Sequence, residues 1–248
     1  NEGKAIISGG ARLNLQWEYY ENGIFKAQVS DDIIIDQLYI NGQRQRMARF
    51  PNAVDDKNVF DSWELIHTKK PDAANDPLDP ERIDSWSNPT GAYVHAMHYY
   101  LWGDMHWLVK GKNEDGTLNL DGGWQNNRPS PMHPRYRIIE NLMEELDSPG
   151  EWFYNKQERI LFYYPETETD LQNAQVEIVR LKNLIEFNGT KETPVKFIHI
   201  DGLVFRHSAR TFMENKEQLL RSDWTTYRGG AVFVNGAEDI RIENCEFD

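Results

Sequence analysis

The sequence predicts an all-β chain whose last third is a parallel β-solenoid, and three observations lead there. First, one short pattern is written twice between Leu184 and Asp248. LIEFNG (Leu184 to Gly189) precedes FIHIDGLVF (Phe197 to Phe205), and AVFVNG (Ala231 to Gly236) precedes AEDIRIENCEF (Ala237 to Phe247). Ile198-His-Ile-Asp-Gly-Leu-Val-Phe205 aligns with Ile240-Arg-Ile-Glu-Asn-Cys-Glu-Phe247 position for position. Second, apolar and polar residues alternate with period two in both copies, the mark of a half-buried strand. Third, Gly202 and Asn244 interrupt the alternation where a tight bend needs a residue that tolerates positive φ. Strand, bend and strand repeated without helices form solenoid turns, which bury their inward residues only by stacking on neighbours. About three turns plus caps are needed for that, so the expectation is a fragment of a longer solenoid that continues past Asp248. A two-turn flap on another domain is the alternative.

The remaining elements follow in order. Lys4 to Ser8, Leu13 to Tyr20 and Ile24 to Ser30 read as strands, with turns at Gly9-Gly10 and Asn22-Gly23. Asp36 to Phe50 reads as a hairpin about Asn41-Gly42, the strongest short-range hairpin signal. Val54 to Pro89 is rich in Pro, Asp and Asn and predicts a long surface loop with one helical turn near Asp79 to Ser85. Gly91 to Val109 is strand-like and carries His95, His98 and His106. On a strand His95 and His98 point to opposite faces, which suits structural histidines better than a zinc site. Thr117 to Arg137 is a punctuated loop holding Trp124, Asn127 and Arg128, and an indole beside amides and guanidinia can grip sugar hydroxyls or uronate carboxylates. A polar loop capped by one packed indole explains it equally well. Ile138 to Leu146 carries an i, i+3, i+4 stripe and predicts a helix. EWFYN and RILFYYP predict a second hairpin.

Between the two repeats lies Arg206 to Gly230, too long for a plain solenoid corner. It concentrates His207, Arg210, Glu214, Arg221, Asp223, Trp224 and Arg228. A polar, aromatic insertion on a rigid scaffold is where binding sites are normally placed, although a solvated loop with internal salt bridges fits too. The candidate substrate-binding set is therefore Trp124, Asn127, Arg128, His207, Arg210, Glu214, Arg221, Asp223, Trp224 and Arg228.

Composition narrows the partners. The net charge of -13 opposes a phosphate-tracking surface, so nucleic acid is not expected. No apolar run approaches the ~18 residues of a membrane span. NEGKAIISGG has neither the basic head nor the apolar core of a signal peptide, which could have been removed. The single cysteine, Cys245, excludes an internal disulfide and a thiolate metal cage, and it aligns with Leu203 as a small packed residue. No metal or other cofactor is expected.

GKAIISGG, DQLYINGQRQRMARFPN, ENLMEELDSPGEWFYN, RILFYYP and IHIDGLVFRHS together resemble right-handed parallel β-helix proteins of the glycoside hydrolase and polysaccharide lyase type. More narrowly, the chain looks like bacterial β-helix hydrolases with a β-sandwich inserted early in the solenoid, such as certain fucosidase, xylanase and β-xylosidase families. The resemblance implies solenoid over residues 1–36, an inserted sandwich-like domain with one short helix over 37–179, and solenoid again over 180–248. It also implies a chain clipped at both ends, a periplasmic or extracellular location, and action on plant or algal cell-wall polysaccharide or oligosaccharide. The catalytic acids would lie on coils beyond Asp248, so no catalytic pair is assigned and these 248 residues are expected to be inactive alone.

The residues themselves leave three readings open. A glycoside hydrolase needs two carboxylates, ~5–5.5 Å apart for retention or ~6.5–9.5 Å for inversion, and nothing pairs Glu214, Asp223 and Glu243. A polysaccharide lyase needs a base near a uronate and a cation for the enolate; His207 with Arg210 or Arg228 has the residue types for that, but nothing in the sequence assigns them the role. A non-catalytic glycan-binding or adhesion module needs neither.

Overall fold

The computed structural model describes residues 4–30, 32–53, 76–123, 131–214, 217–218 and 225–248. It is all-β. In chain order the strands are β1 (Ile6–Ser8), β2 (Gly10–Leu13), β3 (Glu18–Glu21), β4 (Ile24–Gln28), β5 (Leu38–Ile40), β6 (Gln43–Met47) and β7 (Arg49–Phe50). After the short helix α1 (Pro80–Ser85) come β8 (Tyr93–His98), β9 (Asp104–Lys112), β10 (Leu118–Gly122), β11 (Met132–Glu140), β12 (Glu151–Asn155), β13 (Ile160–Tyr163) and β14 (Val176–Val179). The last stretch holds β15 (Ile185–Asn188), β16 (Val195–Lys196), β17 (His199–Asp201), β18 (Val204–Arg206), β19 (Glu217–Gln218), β20 (Thr225–Thr226), β21 (Val232–Asn235), β22 (Ala237–Glu238), β23 (Arg241–Glu243) and β24 (Glu246–Phe247).

Eight strands form one sheet in the order β2-β14-β5-β6-β12-β13-β4-β3. Its two edges, β2 and β3, are consecutive in the chain. Five residue steps reach at most ~18 Å, whereas eight flat strands span roughly 34 Å. The sheet therefore curls until its edges approach. Inside the curl lie Trp17, Val29, Leu38, Ile40, Trp152, Leu161, Tyr163 and Ile178, each large aliphatic among them contributing about 1.5–3 kcal/mol by burial. The curl also explains why Leu13 to Tyr20 is two strands and not one. The chain leaves one edge at Leu13, buries Trp17, and resumes at Glu18 on the other edge.

A five-stranded sheet, β10-β9-β8-β11-β7, follows from the same backbone. β6 passes into β7 through Ala48, which is fully buried, so the chain steps directly from one sheet to the next. The helical turn expected near Asp79 is α1, with the Asp79 carboxylate accepting from the Glu81 N–H and Pro80 in the first turn. It packs Ile83, with Trp86 beyond its end, on Val94, Trp107 and Ile139.

The helix expected over Ile138 to Leu146 is not formed. Residues to Glu140 belong to β11, Asn141 turns the chain at φ 69°, and only a 3₁₀ turn follows at Met143–Glu145. The apolar stripe was real but serves different cores: Leu142 joins Ile139 and Trp107, while Leu146 joins Ile24 and Phe162.

The repeats pair with each other in parallel. Ile185 faces Val232, Val195 faces Ala237, His199 faces Arg241 and Val204 faces Glu246. This is the register that the two copies predict. Gly202 and Asn244 take φ 71° and 52° as expected. A Cβ on Gly189 would stand 2.2 Å from the Gly236 carbonyl oxygen, which accounts for the Asn-Gly at the same place in both copies. The ladders are separate and short, and β1 extends one of them to the order β1-β18-β24. Phe187, Ile200 and Phe205 are buried between them, with Leu203 and Cys245 packed alongside.

Candidate functional site

Where β8, β9 and β11 meet the segment after β18, a string of charged side chains crosses between elements. β8 and β9 are antiparallel neighbours with His95 opposite His106, and β11 runs along the other side of β8 with Ile138 opposite His95. Pleat alternation then puts His95, His106 and Glu140 on one face. His95 Nε2 lies 3.0 Å from Glu140 Oε1, and His95 Nδ1 lies 2.8 Å from His106 Nδ1. His106 Nε2 in turn lies 3.4 Å from Asp104 Oδ2. The string continues through Arg210, whose Nη1 donates to Glu140 Oε1 at 2.9 Å. Its Nε and Nη2 form a fork on the Asp36 carboxylate at 2.9 and 2.7 Å. Such a planar bidentate pair is the strong form of a charge-assisted contact.

Burial pushes the Glu140 carboxyl up, but His95 and Arg210 outweigh it and hold the group at about 2. Arg210 is likewise penalised by burial and kept charged by Asp36 and Glu140. Asp104 is held below the usual carboxylate range by its bond to His106. Glu151 shows the opposite outcome. It is buried 3% exposed, and burial, with Asp147 nearby, raises its carboxyl to about 8. Glu140 has cations and donors on several sides, whereas Glu151 is protonated at neutral pH.

Rings close the site. Phe212 packs against Tyr93, His95 and His106, and the Arg210 guanidinium lies 4.6 Å from its centroid. Beside them opens a cleft of about 480 Å³, bordered by Tyr93, Phe212, Asp32, Arg180, Lys182 and Glu214. Two rings with mixed charges in a concavity suit a small polar ligand with apolar faces. Because Glu140 is held far below the usual carboxylate range, with His95 and Arg210 both on its Oε1, it is a fixed charge and not a proton donor. Among the described residues no group of three or more His, Cys, Asp or Glu is placed to hold a metal ion.

The expected binding residues are dispersed. Trp124, Asn127, Arg128, Arg221, Asp223 and Trp224 lie outside the described residues. Arg210 stands at the centre of the string, and Glu214 borders the cleft in an ion pair with Lys182. His207 is turned elsewhere: its Nδ1 meets Ser8 Oγ at 3.1 Å, its ring packs 4.1 Å from that of Tyr39, and burial pushes its pKa down. Arg228 lies 5.9 Å from the Phe233 ring. Glu243 is held by His199 and Arg241. Asp36, Glu140, Tyr93 and Phe212 were not among the expected residues. The helical reading of Ile138 to Leu146 concealed Glu140, and Asp36 lies 174 positions from Arg210.

No family model and no curated protein matches this chain. Among solved structures it is similar to one titled glycoside hydrolase, at a TM-score of 0.68 and 18% identity, over 99% of this chain and 48% of that one. What the two share is the fold. The chain spans about half the length of that structure, and no described helix is long and apolar enough to cross a membrane.

Proposed function

We propose that this chain is part of a carbohydrate-active protein of the glycoside hydrolase type, exported from the cell and acting on plant or algal cell-wall polysaccharide. The observation that carries the reading is the shared fold with a glycoside hydrolase over nearly the whole chain. In this reading the parallel ladders, which take in β1 and the strands from β15 on, are turns of a right-handed β-helix. The inserted sandwich-like domain then begins at β2 and not at residue 37, because β2, β3 and β4 belong to the same sheet as β5, β13 and β14. Hydrolysis proceeds through two carboxylates, one protonated and one ionised. Those carboxylates belong to further coils of the full-length protein. Two features support that assignment: the similar structure is about twice as long, and two of the three acids that line the cleft, Asp36 and Glu214, are already paired with Arg210 and Lys182. The cleft residues then orient sugar and do not cleave it.

The test is the full-length protein on a panel of neutral and acidic polysaccharides, followed for new reducing ends and for the ultraviolet absorbance of an unsaturated uronate. Reducing ends without absorbance are expected. Both signals together mean β-elimination and overturn the hydrolase reading, and binding without either signal means an adhesion module.

A further inference from the structure

The β8–β9 hairpin ends in Tyr99-Tyr100-Leu101-Trp102, and all four side chains stand in solvent at 47, 63, 49 and 61% exposure. Four consecutive large apolar residues left open on a charged chain need a reason. Their arrangement is not that of a loose loop. The indole of Trp102 stacks on the His98 imidazole, centroids 5.0 Å apart and planes 9° from parallel. His98 is itself buried and accepts the Tyr100 N–H at its Nδ1. The Leu101 N–H donates to the His98 carbonyl and the His98 N–H to the Gly103 carbonyl, which closes the turn. Leu101 sits at φ 62°, a strained conformation for a branched-chain residue and one that the surrounding bonds enforce. Tyr100 leans on Trp102 with centroids 5.5 Å apart, and Tyr99 meets Tyr100 edge-on. The indole is thus pinned against His98 while Trp102 as a whole stays largely exposed, beside the Tyr100 ring and, next to that, Tyr99.

The geometry points to a sugar-stacking platform at this hairpin tip for neutral polysaccharide, distinct from the cleft beside Arg210. The inference rests on the carbohydrate reading above and narrows its ligand class. Pinned flat rings match the apolar C–H faces of sugar rings, and phenol hydroxyls at their edges meet sugar hydroxyls. Charge decides between ligands. Residues 97–104 contain no lysine or arginine, Asp104 is their single acidic residue, and the chain carries a net charge of -13. Within the turn itself a polyuronate or an anionic membrane surface meets no lysine or arginine, and besides His98 the basic ring described in contact with it is His133 of β11, 6.3 Å from Tyr99. Because Tyr99 to Trp102 follow directly on His98, the platform lies only roughly 10–20 Å along the hairpin from the His95–His106 pair. A chain held at the tip is thereby kept near the cleft.

The experiment is affinity electrophoresis of the 248-residue chain through gels containing neutral xylan, hydroxyethyl cellulose or mannan, and through one containing polygalacturonate. Wild type is compared with Trp102→Ala, Trp102→Phe, Tyr100→Ala and, as an exposed aromatic elsewhere, Tyr19→Ala. Retardation in at least one neutral gel is expected. It should weaken roughly tenfold in Trp102→Ala, weaken less in Trp102→Phe, which keeps a ring, and stay unchanged in Tyr19→Ala. Retardation that ignores Trp102, retardation in polygalacturonate alone, no retardation in any gel, or Trp102-dependent binding to lipid vesicles in place of glycan each overturns the platform. Its failure is separable from failure of the hydrolase reading. Cleavage by the full-length protein with retardation indifferent to Trp102 sinks only the platform. Trp102-dependent retardation without cleavage sinks only the hydrolase.

Discussion

The two ends of the β8–β9 hairpin are built on opposite principles. At the His95–His106 end the side chains are linked one to the next, Asp104 to His106, His106 to His95, His95 to Glu140, and Glu140 and Asp36 to the Arg210 cation. At the tip, only a few residues further on, there is no lysine or arginine, and large rings face solvent. The difference teaches what each end is for. A partly buried ionic string costs desolvation and fixes geometry, so its loss is felt in stability. An exposed ring cluster adds little to folding, so its loss is felt in whatever it touches.

The largest effect that can break this contrast is Arg210→Met. It removes the cation and leaves Asp36 and Glu140 partly buried without it, and we expect a loss of about 3 kcal/mol in urea unfolding. Arg210→Lys restores the charge without the fork and should recover only part. An unchanged urea midpoint in Arg210→Met would show that the string is decorative.

Next comes pH. Glu151 has a folded-state pKa of about 8 against an ordinary 4.5. Between those values the folded chain holds a proton that the unfolded chain has released, so stability falls as pH rises from about 4.5 to about 8. Glu140 works the other way: its depressed pKa of about 2 adds stability above 4.5 that is lost as pH falls through 2. Glu151→Gln, measured by thermal melts across this range, should flatten the alkaline decline and leave the acid limb intact.

A smaller effect belongs to the parallel ladders. Asn244 sits at φ 52° and donates to Asp201, and Asn244→Ala should cost about 1 kcal/mol, with Asn244→Gly costing less. Smallest of all is Trp102→Ala, within about 0.5 kcal/mol of wild type by the same unfolding measurement. A large loss there would make the tip a structural element.

These regions also differ in how far they can be read from sequence. The parallel ladders were legible down to register, because period-two alternation and the bends at Gly202 and Asn244 are local signals. The Asn41-Gly42 hairpin was legible for the same reason. The ionic string was not. Arg210 stood out by residue type within the segment after β18, but its partners Asp36 and Glu140 lie 174 and 70 positions away. Ile138 to Leu146 has a helical period because successive residues enter two different cores, and nothing within nine residues reveals that. The His95–His106 pair was within reach. A turn centred between Tyr100 and Leu101 puts those histidines opposite each other, but it lacks the Asn-Gly or Asp-Gly that marks a hairpin, and Leu101 takes the positive φ instead.

The most direct test of the central claim is proton NMR of the anomeric signals during the first turnovers of the full-length protein on a neutral oligosaccharide. Two-carboxylate hydrolysis predicts one anomer, retained or inverted, before mutarotation mixes them. An unsaturated product, or no cleavage of any glycan that the chain binds, would contradict it.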